Sequence, residues 1–249
     1  MEEIIRVEKL DVGYSNEVVL RDLNFSINKG DITVILGRSG CGKTTILKTL
    51  LGLLPPLSGQ ITFFGEKLDY LSEKVLEKLY KRIGVLYQGG ALLNSLTLYE
   101  NVALPIKMQC PGIPAEIEKE MVYSRLAQVG LSESGNKYPA ELSGGMRKRT
   151  ALARAMILDP AIIFCDEPSA GLDPITAVGL DVLMRNLRDF FGITFLVVTH
   201  ELRSIEKISD RALVLNNGRI QYFGDYKDMF ALKDPFIETF FLKGENNDN

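Results

Sequence analysis

The run Gly37-Arg38-Ser39-Gly40-Cys41-Gly42-Lys43-Thr44-Thr45 constrains this chain more than any other feature. A short apolar segment, 32–35, leads into it, and Ile46, Leu47, Leu50 and Leu51 follow at helical spacing. The order is strand, glycine loop, helix. Residues 37–44 fit GxxxxGK[ST] without a mismatch. In that pattern Gly37, Gly40 and Gly42 let backbone N–H groups curl around phosphate oxygens. Lys43 reaches the β- and γ-phosphates, Thr44 offers a hydroxyl to Mg²⁺, and the helix N-terminus adds a favourable field. Cys41 has two readings: a thiol of lowered pKa at a helix start, or a small residue that fits the loop, and the second is preferred.

A second apolar run ends in two adjacent carboxylates, Ile162-Ile163-Phe164-Cys165-Asp166-Glu167. Asp166 suits Mg²⁺ held through water, and Glu167 suits polarising an attacking water. A further apolar run spans 194–199, with an amphipathic helix over 175–191 between the two. Strand, helix, strand predicts an α/β core with a parallel sheet that binds its ligand at the strands' carboxyl ends. Short β segments at 4–7, 18–20, 23–27 and around 60–64 predict an antiparallel β subdomain, followed by a helix near 72–81 and a strand at 83–87. Residues 89–149 read as an inserted helical lobe, broken at 110–114 and at Tyr138-Pro139. The expectation is one domain over 1–243: core 1–88 and 150–225, helical subdomain 89–149, helical tail 226–243, and a frayed end at 244–249.

Composition excludes several classes. Of 249 residues 46% are hydrophobic, ample for a core, and the net charge of −3 argues against coating nucleic-acid phosphates. The basic run Arg147-Lys148-Arg149 is therefore read as a helix face that answers acidic neighbours or a membrane partner. Three cysteines without a CxxC pair favour neither a disulfide framework nor zinc, and suit a reducing cytoplasm. The acidic N-terminus lacks a signal-peptide pattern, and no apolar run approaches the about 20 residues that span a bilayer. A membrane role would come through a partner.

Leu142-Ser143-Gly144-Gly145-Met146 is a second candidate phosphate clamp, because a serine followed by glycines at a helix start presents N–H groups and a hydroxyl. With this element the chain resembles the ABC ATPase family across about residues 12–224. The resemblance implies a P-loop NTPase fold with a RecA-like parallel-sheet core, and ATP and Mg²⁺ as ligands. ATP contacts would come from Tyr14, stacked on adenine, and from Gly37, Arg38, Ser39, Gly40, Cys41, Gly42, Lys43, Thr44 and Thr45. The metal set would be Thr44, Gln88 and Asp166. Catalytic roles fall to Glu167, Lys43, Gln88 of the Q-loop and His200, the single histidine, as γ-phosphate switch. Asp173 would lie in the D-loop. Ser143, Gly144 and Gly145 would clamp the nucleotide of the opposite protomer in a head-to-tail homodimer, so that a lone chain binds ATP but hydrolyses it poorly.

Two departures narrow the resemblance. Met146 stands where glutamine is usual, and Arg147-Lys148-Arg149 follows. Together with residues 87–93, 96–103 and 173–176, these are similar to the Mla-type branch, the ATPases of MCE-associated phospholipid transporters. That branch implies a transmembrane permease, an MCE-domain protein and a small cytoplasmic regulator. It also implies a place at the cytoplasmic face of the inner membrane, in maintenance of outer-membrane lipid asymmetry. An importer ATPase for a polar solute would share every catalytic motif and is the alternative. A DNA-repair or translation ABC protein would carry two cassettes or a coiled-coil insertion, and a dead cassette would lack Lys43, Asp166, Glu167 or His200.

Overall fold

The strand that feeds the glycine loop, Ile32–Leu36, is buried at all five positions, which requires sheet neighbours on both edges and cover on both faces. The structure is a computed structural model and describes residues 2–15 and 17–245. In chain order the strands are β1 Glu3–Tyr14, β2 Glu17–Asn28, β3 Ile32–Leu36, β4 Ser58–Phe63, β5 Glu66–Lys67, β6 Ile83–Leu86, β7 Ile162–Asp166, β8 Thr194–Val198, β9 Arg211–Asn216 and β10 Arg219–Asp225. The helices are α1 Lys43–Leu50, α2 Glu73–Tyr80, α3 Leu98–Gln109, α4 Ala115–Gln128, α5 Gly144–Met156, α6 Pro174–Phe191, α7 Leu202–Ile208, α8 Tyr226–Met229 and α9 Pro235–Glu245. None of the described helices is long and apolar enough to cross a membrane.

The chain divides into two compact units, Met1–Leu79 with Thr194–Asn249, and Tyr80–Ile193. In the first, β3 lies between β8 and β9 and runs parallel to both, while β10 closes on β9 as an antiparallel hairpin. A separate antiparallel sheet has the order β2-β1-β4-β5. Residues 18–20 and 23–27 belong to one strand, not two, because β2 stays paired with β1 through register shifts around Leu10 and Val12. The β9–β10 hairpin had no counterpart in the sequence reading; Asn217, at φ 46°, and Gly218, at φ 74°, supply the positive backbone angles of its turn.

In the second unit β6 and β7 pair in parallel. The helical segment expected over 89–149 contains α3, α4, a 3₁₀ turn at Pro139–Glu141 and the start of α5. Leu98, Val102, Ile106, Val122, Leu126 and Leu142 form much of its core. Helix α3 starts on a capping box in which Thr97 and Glu100 bond reciprocally. Helix α6 starts on Asp173 with Pro174 in its first turn and ends on Gly192 in the left-handed region. The frayed end expected over 244–249 falls outside the described residues from 246 onward.

Candidate active site

In the first unit β3 ends at Leu36 and the glycine loop turns into α1. Gly42, the N-cap of α1, has φ 102°, and a Cβ there would stand 2.8 Å from Leu20 Cγ, so only glycine fits. This cap contributes no side-chain hydrogen bond to the helix start. Lys43 Nζ donates to the Gly37 carbonyl at 2.7 Å and the Arg38 carbonyl at 3.1 Å, which holds the ammonium inside the curl of the loop. Thr44 is exposed whereas Thr45 is buried, so the two adjacent threonines divide between solvent and core. Burial pushes the Cys41 thiol above its ordinary value, with Lys43 opposing, and this favours the loop-fitting reading over an activated thiolate. Ser39 and Gly40 are exposed, and the Arg38 guanidinium sits 5.5 Å from the centre of the Phe236 ring on α9. Tyr14 ends β1 with half its surface exposed, and His200 lies exposed two residues beyond β8.

In the second unit β7 ends at Asp166, and Glu167 turns the chain with φ 47°. A left-handed angle at a non-glycine residue is a local cost that the surrounding structure must hold in place. Lys148 is 5% exposed and supplies part of that support. Its Nζ donates to the Glu167 carbonyl at 3.1 Å and to the Gln88 carbonyl. Two residues far apart in sequence, Gln88 and Glu167, thus meet at one ammonium. Residues 147–149 were expected to form a helix face that answers acidic neighbours or a membrane partner; Lys148 instead points inward, on the same side of α5 as Gly145 and Leu152.

The signature turn is built on α6. Ser143 is the N-cap of α5, its hydroxyl accepting from the Met146 amide at 3.2 Å. A Cβ on Gly145 would stand 2.3 Å from Thr176 Cγ2, and one on Gly144 would stand 3.1 Å from Leu172. Asp173 accepts from the amides of Ile175 and Thr176, and the bonds from Thr176 hold its carboxyl below the usual range. Ser143, Gly144, Gly145 and Asp173 are therefore brought together at the starts of two helices.

Sequence reasoning missed three residues that shape the segment after Gln88. Arg154 donates to the carbonyls of Gly90 and Ala91, each at 2.7 Å. Buried Asn101 donates to the carbonyls of Leu93, Leu96 and Thr97 and accepts from the Leu93 amide. Lys148 is the third, and its helical spacing from Gly145 and Leu152 was the available signal. Among the described residues no three His, Cys, Asp or Glu gather as a metal cage. The hydroxyl of Thr44, in the first unit, and the carboxyl of Asp166, in the second, are each oxygen donors of the kind that Mg²⁺ takes.

A family model described as ABC transporter matches residues 20–170. The intermembrane phospholipid transport system ATP-binding protein MlaF of Haemophilus influenzae is 36% identical, covering 99% of this chain and 92% of that protein. The protein mkl of Mycobacterium bovis, named a "probable ribonucleotide transport ATP-binding protein", is 37% identical over 95% of this chain, which spans 66% of its length. Among solved structures, cbiO1 from Clostridium perfringens, part of the ABC transporter complex cbiONQ, has a TM-score of 0.87 and 31% identity, covering 94% of this chain and 92% of its own. A dimeric structure of MJ0796, a bacterial ABC transporter cassette, has a TM-score of 0.79 and 28% identity, covering 89% and 98%. A phosphate loop, a carboxylate-ended strand and a serine-capped signature helix, in a chain that matches MlaF nearly end to end, make this protein a member of the ABC transporter family, as an ABC ATPase.

Proposed function

We propose that the chain hydrolyses ATP to power phospholipid transport by a membrane complex. The observation that carries the cargo is the end-to-end likeness to MlaF, 99% of this chain against 92% of that protein. The mkl likeness, whose name carries a different cargo, covers only 66% of that protein.

In this reading Tyr14 stacks on adenine. The loop amides from Gly37 to Thr45 and the Lys43 ammonium bind the phosphates. Thr44, Gln88 and Asp166 would hold Mg²⁺, which would supply charge neutralisation to the nucleotide phosphates. Glu167 accepts hydrogen bonding from the attacking water and polarises it, and His200 orients the γ-phosphate. Ser143, Gly144 and Gly145 face the γ-phosphate held by a second copy, with Asp173 at the same junction. The dimeric MJ0796 cassette supports a two-chain assembly. A permease would anchor the chain at the cytoplasmic face of the inner membrane, joined by an MCE-domain protein and a small cytoplasmic regulator.

Reconstitution with the co-purifying permease in vesicles tests the proposal. Transfer of a fluorescent phospholipid should require ATP and stop in Glu167→Gln, which should accumulate as an ATP-bound dimer. Full turnover in Glu167→Gln would refute the role of that carboxylate. ATP use stimulated by a polar-solute-binding protein, without lipid transfer, would overturn the cargo.

A further inference from the structure

The buried Lys148 has no part in the mechanism above, although its ammonium meets two elements of it. A lysine charge is rarely enclosed unless hydrogen bonds replace its water. Here Nζ donates to the carbonyl of Glu167, just past β7, and to that of Gln88, just past β6. The Glu167 carbonyl belongs to a residue at φ 47°, so a bond to it restrains the peptide unit that sets the direction of the Glu167 side chain. Lys148 itself lies five residues beyond Ser143 on α5, whose helical backbone makes the signature and the ammonium one rigid element.

We infer that Lys148 is a positioning residue that ties the signature helix to the backbones of Gln88 and Glu167 and thereby sets the aim of the Glu167 carboxylate. Displacement of α5 when the signature engages nucleotide is passed to both backbones through one side chain. The inference rests on the reading of Glu167 as the water-polarising group.

The test compares the full-length parent with Lys148→Met, which keeps an unbranched stem of similar length and removes the donors. The expected result is a fall in kcat of about tenfold to a hundredfold, the scale of a misplacement near 1 Å, with ATP affinity unchanged within about threefold. In a Glu167→Gln background the same change should add little further loss, since both alterations act through one group. If Lys148→Met does not fold, Lys148→Gln, with a shorter amide donor, is read by the same split between kcat and affinity. Turnover within about threefold of the parent, or a loss of ATP affinity in step with kcat, would overturn the inference. A parent that fails to hydrolyse ATP at all would count against the proposed function instead.

Discussion

Helices α1 and α5 both begin with small residues at a candidate phosphate clamp, yet they begin in different ways. The cap of α1 is Gly42, left-handed and without a side-chain bond to the helix start, and the ammonium of Lys43 lies in the loop that precedes it. The cap of α5 is Ser143, whose hydroxyl already accepts from the Met146 amide, on a turn seated against Thr176 and Leu172. A helix start capped by glycine leaves its first amides to a ligand, whereas one capped by serine has an internal partner that a ligand must share or displace. Under the proposed function, the difference goes with strong ground-state binding at the first site and a weaker contact, to the nucleotide of a second copy, at the second.

The sharpest way to break this contrast is Gly42→Ala. With φ 102° and Leu20 at 2.8 Å, an added methyl must distort the loop, and ATP affinity measured by fluorescent-nucleotide titration should fall about a hundredfold or more. Retained affinity would mean that the loop tolerates a shape other than the one seen. Next in size is Ser143→Arg, which should leave nucleotide binding within about threefold while steady-state hydrolysis falls at least tenfold. Equal losses in binding and turnover would erase the division of labour between the two helices. Ser143→Ala probes the cap alone and should lower stability by about 1 kcal/mol in chemical denaturation. As a reference at a helix start with no assigned ligand, Thr97→Ala in the capping box of α3 should cost a similar amount, about 1 kcal/mol, with ATP turnover unchanged. If Ser143→Ala cost nothing while Thr97→Ala did, the signature hydroxyl would not be a structural cap.

The residue pattern made the strands β3, β7 and β8 legible, because each is a short run of apolar residues between turn signals. It made the glycine loop legible because the positions that demand glycine announce themselves. It grouped Lys148 with its two arginine neighbours as a helix face that answers acidic neighbours or a membrane partner, whereas the helix period from Gly145 to Leu152 turns Lys148 inward. It left β9 and β10 unassigned, although Asn217-Gly218 marks a hairpin turn.

Local order and chemical type thus determined, from sequence alone, that this chain carries a nucleotide-phosphate loop, a carboxylate-ended strand and a capped glycine signature, because each depends on neighbours within a few residues. Only the tertiary structure decided which distant backbones share a partner. Gln88 and Glu167 are 79 positions apart and meet at Lys148 because burying an ammonium requires acceptors from whatever strands end beside it.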